Sequence, residues 1–168
     1  GTRNQAKTFI YSLIYGAGNA KIGSVVGGSA NKGAKLKAKF FENLPALAKL
    51  IEDTNTVAEE KKAIKLLDGR SCPVRAAHKS LNVLLQGCGA IISKKWCIIA
   101  NERVKEAGLR AHQLGFIHDE MQWECHPSDA EKLCEILTTS SVIAGEELGI
   151  RMPVDSEAQI GKNWSECH

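Results

Sequence analysis

The stretch GFIHDEMQ, Gly115 to Gln122, sets Asp119 and Glu120 side by side behind His118, between runs that alternate apolar and polar in the manner of strands. Neighbouring carboxylates repel unless something positive sits between or beside them, and hard divalent cations take carboxylate oxygens as ligands. Asp119 and Glu120 are therefore candidate ligands of Mg2+. Two such ions ~3.5–4 Å apart can stabilise both the attacking and the leaving oxygen of a nucleotidyl transfer. An ordinary acidic surface turn would look the same, and the dipeptide alone does not separate the two.

A second set recurs every four residues: Arg3, Lys7, Tyr11 and Tyr15. On a helix, steps of four wind slowly along one side, so two cations and two phenols share a stripe. That stripe suits a nucleoside triphosphate. Arg3 can grip phosphate oxygens with its planar fork, Lys7 can place a point charge nearer the leaving group, and Tyr11 offers an aromatic face to sugar or base. An exposed basic face with two amphipathic tyrosines fits the same pattern equally well. Lys32, Lys35, Lys37 and Lys39 crowd another stretch that suits a phosphate backbone, although a solvated helix face is the simpler reading of those four alone.

Elements must position these groups. Arg3 to Tyr15 reads as a helix with Ala6, Phe9, Ile10 and Leu13 on its apolar face, ended by Gly16 and Gly18. Ala20 to Val26 is a short helix, a lysine-rich helix runs from about Asn31 to Asn43, and Pro45 opens another. Two β-prone runs between Ile64 and Val74 flank Asp68-Gly69, a hairpin-turn dipeptide, with Pro73 restricted to an edge. From His78 to Ala107 the pattern is helical, with an apolar face of Leu81, Leu84, Leu85, Ile91, Ile92, Trp96, Ile99 and Val104. Gly87 and Gly89 predict a bend or a close backbone approach in its middle. Leu109 to Ile117 and Met121 to Cys125 form a hairpin with Asp119 at its tip, Leu114 and Phe116 alternating before the turn and Met121, Trp123 and Cys125 after it. Ser128 caps a last helix in a capping box with Glu131, running to about Leu148. Ile150 to Val154 is a final short strand. The fold class is α+β, with no internal repeat and no linker that separates independent domains.

Composition sets the bounds. At 168 residues, 43% hydrophobic and 24% charged, the chain is long enough for one domain with a proper core and too short for two ordinary ones. No run approaches the ~20 apolar residues a membrane span needs, so no span and no membrane role are expected. Thr2 to Gln5 is polar, and Lys7, Tyr11 and Ser12 break the first apolar stretch, which argues against a signal peptide; the leading Gly-Thr carries no weight. Six cysteines without a CxxC point to reduced thiols and a cytoplasmic setting. Cys125, His126, Cys167 and His168 are poor chelators as adjacent pairs, because neighbours on a strand point to opposite faces. Charge is uneven: residues 1 to 90 carry 14 Lys/Arg against 6 Asp/Glu, whereas residues 91 to 168 carry 8 against 13. The front half is built to meet an anion.

Taken in order, the motifs resemble family A DNA polymerases. RNQAKTFIYSLIYGAG is similar to that family's fingers helix, with its Arg, Lys, Tyr or Phe, and Tyr-Gly at intervals of four, and HDE at His118 to Glu120 resembles its palm motif. LDGR at Leu67 to Arg70, HKSLNVLLQ at His78 to Gln86 and the terminal NWSECH fall in the same order, in the manner of phage-type members. The resemblance covers essentially the whole chain. It implies a helical fingers subdomain over 1–90, with a small hairpin near 64–74, and a partial antiparallel palm sheet with packed helices over 91–168, its catalytic hairpin near 109–125.

By the same resemblance Arg3 and Lys7 hold the phosphates of an incoming dNTP, Tyr11 packs on its sugar and Tyr15 lies near the templating base. Lys7, Asp119 and Glu120 are then the catalytic set, with Asp119 a Mg2+ ligand, Glu120 a weaker or indirect contributor, and two Mg2+ ions in the complete enzyme. His118 lies by the primer end. His78, Asn82 and Gln86 contact the duplex at its minor groove, where acceptors barely differ between base pairs, and Arg70 and Arg75 touch the DNA backbone. The implied function is template-directed DNA synthesis on primer-template DNA, in the host cytoplasm if the chain is phage-encoded. The alternative is a non-catalytic nucleotide- or DNA-binding module of the same fold.

In that family a second catalytic aspartate lies on a strand upstream of the position of Arg3, and Val154 to Glu157 corresponds to the C-terminal strand instead. An upstream polymerase segment carrying thumb and remaining palm is thus an expected partner, and the isolated chain is expected to be inactive. The palm edge beside the Asp119 hairpin is expected to be open, leading to self-association or to cover by a rearranged segment.

Overall fold

Thr2 starts the first helix with a reciprocal cap: its hydroxyl accepts from Gln5 N–H at 3.2 Å, and the Gln5 amide oxygen accepts from Thr2 N–H at 2.9 Å. Thr2 therefore has a structural use that the sequence reading did not assign. The computed structural model describes residues 2–167. His168 lies outside the described residues, so its place in the terminal motif and in the Cys/His set is not described. The chain is mainly helical with two small antiparallel hairpins, an α+β arrangement, and it divides into two compact units meeting in sequence at Gly87 and Cys88.

The first unit contains α1 (Arg3–Ile14), α2 (Asn19–Val25), α3 (Ala30–Asn43) and α4 (Pro45–Lys61). Phe9, Leu13 and Ile22 are buried together, backed by Val25, Leu36, Phe40 and Phe41, with Phe9 meeting Phe40 edge-on at 5.2 Å between ring centroids. The apolar face of α1 is narrower than periodicity predicts. Phe9 and Leu13, one helical step of four apart, fill the contact, while Ala6 and Ile10 stay exposed. Gly16 takes φ +71°, and a side chain there would press a Cβ to 2.3 Å from the His78 carbonyl oxygen, so the end of α1 sits directly on the 77–79 segment.

The strands β1 (Ala63–Lys65) and β2 (Ser71–Pro73) form the first hairpin, with Pro73 opposite Ala63 in a sheet of two strands, where either strand is an edge. Its turn is longer than a two-residue loop: Gly69 N–H donates to the Leu66 carbonyl at 2.9 Å with Gly69 at φ +82°. Ala58, Ile64 and Val74 form a second buried cluster with Ala77, Val83 and Leu84. Within it the buried Ser80 hydroxyl donates to Asn55 Oδ1 at 2.8 Å and lies 3.1 Å from Thr54 Oγ1.

A 3-10 turn, Ala77–Lys79, leads into α5 (Ser80–Glu106), an unbroken helix of 27 residues. The expected disturbance at Gly87 and Gly89 resolves into one close approach. A Cβ at Gly87 would meet the Leu66 side chain at 2.6 Å, while one at Gly89 would meet nothing within 4 Å. Leu85, expected on the apolar face, is exposed, on the far side of Leu81 from Leu84, which packs on the second cluster. The stretch Ala77–Glu106 is long and apolar enough, by length and composition, to cross a membrane. This corrects the expectation that no such run exists: the polar residues in it are too few to lower the average, although they break the run. A single helix of this kind is weak grounds for a membrane role.

In the second unit, β3 (Ala111–Ile117) and β4 (Glu120–Cys125) form the hairpin that carries Asp119, and α6 (Ala130–Glu147) packs beside it. Val104, Leu133 and Ile136 are buried with Leu109, Ala111, Trp123, Cys125 and Leu137. Trp96 Nε1–H donates to the Leu137 carbonyl at 2.7 Å, and Arg103 Nη1 donates to Thr139 Oγ1 at 2.7 Å and Ser140 Oγ at 2.9 Å, tying α5 to α6.

Two expectations fail in this unit. Ser128 does not cap α6. A 3-10 turn, Pro127–Asp129, intervenes, Asp129 takes the cap position without a side-chain cap bond, and the Ser128 hydroxyl donates to the Asp129 carboxylate at 2.8 Å instead. Arg110 has recruited both residues. Residues 150–154 form no strand either; the chain runs irregularly, with Val154 against Gly145 and the Ser156 hydroxyl 2.9 Å from that of Ser141, and no described strand offers it a ladder.

Candidate functional site

In the first unit the periodic stripe of α1 is intact and faces solvent. Arg3, Lys7, Tyr11 and Tyr15 are all exposed, the two tyrosines by about half, opposite the buried Phe9 and Leu13. Lys7 Nζ lies 5.9 Å from the Tyr11 ring centroid, so cation and aromatic face are adjacent on consecutive turns. A helix with two buried residues on one side and this stripe on the other can present phosphate-binding charge without burying it.

Tyr15 is also linked to α5: Gln86 Nε2 donates to the Tyr15 hydroxyl at 3.3 Å. With the Gly16–His78 contact, two of the expected duplex-contacting residues sit against the end of α1. The spacing of four from His78 through Asn82 to Gln86 was expected to lie on one helix face. His78 instead belongs to the 3-10 turn, whose carbonyl seats Gly16, and only Asn82 and Gln86 lie on α5. His78 and Gln86 are exposed. Asn82 is half-buried, and its Oδ1 has no hydrogen-bond partner among the described residues.

Arg70 is committed within its own turn. Its Nε donates to Asp68 Oδ2 at 2.6 Å, and that bond holds the Asp68 carboxyl below its usual range. Arg75 is exposed. Of the lysines on α3, Lys32, Lys35 and Lys39 are exposed, whereas Lys37 turns its Nζ to 5.8 Å from the Phe41 ring centroid.

In the second unit, Ile117 pairs with Glu120, leaving His118 and Asp119 as a two-residue turn, with His118 in the left-handed region at φ +57°. Asp119 is exposed at this tip. Glu120 is half-buried, and Gln122 Nε2 donates to its Oε1. The expected alternation before the turn is interrupted. Gln113 pairs with Trp123 and Gly115 with Gln122, so Leu114 is an unpaired extra residue whose side chain is 65% exposed.

At the base of the hairpin, Arg110 gathers the start of α6. Its Nε donates to Asp129 Oδ2 at 3.2 Å, and its Nη2 lies 2.8 Å from Ser128 Oγ and 3.1 Å from His126 Nδ1. The Arg110 and Ser128 hydrogen bonds hold the Asp129 carboxyl well below its usual range, at about 2. A cleft of about 1450 Å³ runs between the hairpin, α5, α6 and residues 154–167, lined by Asp119, Glu120, Trp123 and Asp155 among others. Trp123 Nε1–H is buried and has no partner among the described residues. The six cysteines are unpaired; burial pushes the Cys125 and Cys134 thiols up, which makes them poor nucleophiles.

Carboxylate oxygen suits Mg2+, so Asp119 fits as a ligand, with Glu120 engaged by Gln122 and less available. The described residues contain no group of three or more His, Cys, Asp or Glu side chains placed to hold a metal ion. A complete centre would need oxygens from outside these residues. The sequence reading missed Gln113, Asn101 and the Arg110 clamp. The only signal for Gln113 was a second polar residue directly after His112, out of step with strict alternation in the strand.

This arrangement of helices and hairpins is shared with a polymerase domain of known structure. The POL domain of Pol1 from M. smegmatis, solved in complex with DNA primer-template and dNTP, superposes with a TM-score of 0.83 at 21% identity, over 98% of this chain and 31% of that one. DNA polymerase family A matches residues 1–166, and the chain belongs to that family. The DNA-directed DNA polymerase of Enterobacteria phage T3 is 40% identical over 188 aligned residues, and that of Escherichia phage T7 is 38% identical, each across 99% of this chain. DNA polymerase I of Aquifex aeolicus is 29% identical. The chain spans about a quarter of the length of the phage relatives, 27% of each.

Proposed function

We propose that this chain is the fingers and part of the palm of a DNA-directed DNA polymerase, fingers over 1–90 and palm over 91–168, which adds dNTPs to a primer 3′-hydroxyl on a template. The observation that carries the proposal is the exposed Arg3, Lys7, Tyr11, Tyr15 stripe on α1, on a chain of this family. Arg3 forks onto phosphate oxygens and Lys7 neutralises charge nearer the scissile bond. Tyr11 packs on the sugar, and Tyr15, held by Gln86, stands by the templating base. His78, Asn82 and Gln86 face the minor groove, with Arg75 and the exposed Lys32, Lys35 and Lys39 on phosphates. Arg70 joins them only by giving up Asp68. Asp119 ligates Mg2+, Glu120 supports it, and His118 lies by the primer end. Bound Mg2+ ions supply charge stabilisation at the attacking and leaving oxygens. The setting is cytoplasmic, the host cytoplasm if the chain is phage-encoded.

An upstream segment with the thumb and remaining palm is the expected partner, and the chain alone is inactive, since Asp119 and Glu120 do not make a whole metal centre. That shortage also favours a second reading, a binding module without catalysis. Primer extension with Mg2+ and dNTPs decides between them, using the chain alone and mixed with an upstream family A segment ending before Arg3. Product in the mixture only, abolished by Asp119→Ala with duplex affinity kept, supports the polymerase. Salt-sensitive DNA binding without product in either case supports the module.

A further inference from the structure

The bulge at Leu114 decides where Asp119 falls. Were the Gln113–Trp123 register continued without it, Phe116 would pair with Glu120 and the loop would comprise Ile117, His118 and Asp119. With it, Ile117 pairs with Glu120 and only His118 and Asp119 turn. A one-residue shift in a strand moves each later side chain to the other face, so the bulge sets the direction of the acidic tip.

Apolar burial does not hold this bulge, since Leu114 itself is largely exposed. A polar bridge spans it. Gln113 Nε2 donates to the Gly115 carbonyl at 3.3 Å, across the extra residue. Gln113 Oε1 accepts from Asn101 Nδ2 at 2.7 Å and from the Cys97 thiol at 3.4 Å, both on α5. Asn101 Nδ2 also donates to the Cys97 carbonyl at 2.9 Å, which fixes its own direction. One half-buried side chain thus connects the helix to both sides of the bulge, and no other described hydrogen bond between side chains joins α5 to β3.

We propose that Gln113 is a positioning residue that pins the Leu114 bulge to α5 and so fixes the two-residue turn carrying Asp119. Its consequence for metal binding rests on the polymerase reading, whereas its effect on the hairpin does not.

The 168-residue chain is compared with Gln113→Glu, which keeps the acceptor for Asn101 and loses the donor to Gly115, and with Gln113→Met, which loses both. NMR cross-strand contacts and amide exchange are read first. Wild type is expected to show the Ile117–Glu120 pairing. Both variants should lose it, or exchange the amides of residues 115–122 about ten-fold faster, while those around Val104, Leu133 and Ile136 stay protected. Wild-type pairing with exchange within about two-fold in both variants would overturn the proposal. If Gln113→Met does not fold, the near-isosteric Gln113→Glu decides by the same criterion.

The Mg2+ dependence of primer extension is then read in the mixture with the upstream segment. Gln113→Glu should raise the Mg2+ concentration for half-maximal rate about five-fold or more while dNTP half-saturation stays within about two-fold. Simple loss of folded protein moves neither. An unchanged Mg2+ dependence despite an altered hairpin would overturn the link to Asp119. A wild-type mixture that makes no product would sink the polymerase reading, and the hairpin measurements would still decide the role of Gln113.

Discussion

Asp129 shows how one side chain is reassigned by its neighbours. It stands at the start of α6, where a carboxylate is favoured by the helix dipole, but its oxygens are spent on Arg110 and Ser128. Its folded pKa, at about 2, lies below the ~3.9 of an unfolded aspartate. The stabilisation is therefore complete above the unfolded value and is lost as pH falls through the folded one. Thermal unfolding of wild type and Asp129→Asn should differ most above about pH 4, with the gap closing toward about pH 2. A gap that persists unchanged at low pH would mean that the clamp acts through hydrogen-bond geometry and not through charge.

Among the elements, α1 depends on how its end is seated. Gly16 must adopt φ +71° and admit the His78 carbonyl where a Cβ would stand, so Gly16→Ala combines left-handed strain with a backbone clash. A loss of ~2 kcal/mol or more is expected in urea unfolding. The same substitution should disturb the Gln86–Tyr15 bond, because both contacts hold one helix end against the same segment. A Gly16→Ala chain as stable as wild type would show that α1 is not anchored there. The periodicity of α1 was legible in the sequence, but its seat was not: nothing local to Gly16 announces His78, far along the chain.

For the whole chain, the Asp119 hairpin is a sheet of two strands, and the described residues supply no third. Its outer N–H and C=O groups form a template for pairing. Of the two outcomes expected from sequence, self-association is favoured over cover by an added strand, because residues 150–163 form none. Light scattering across a concentration series should therefore reveal self-association, accompanied by slowed amide exchange along the hairpin edge. A concentration-independent monomer with those amides already protected would contradict this.

The sequence by itself determined the features that depend on local spacing. Four residues at intervals of four must share a side of any helix over Arg3 to Tyr15, and a short turn between alternating runs must put Asp119 at a tip. Tertiary structure decided what depends on partners distant along the chain. Ile10 is exposed because only Phe9 and Leu13 reach α2 and α3; Ser128 caps nothing because Arg110 drew Asp129 and Ser128 together. The residues before the acidic turn change phase at Leu114 because Asn101 and Cys97, on another element, hold Gln113. Periodicity specifies which side chains lie together on one element, and only the packing of elements selects which of those faces is used.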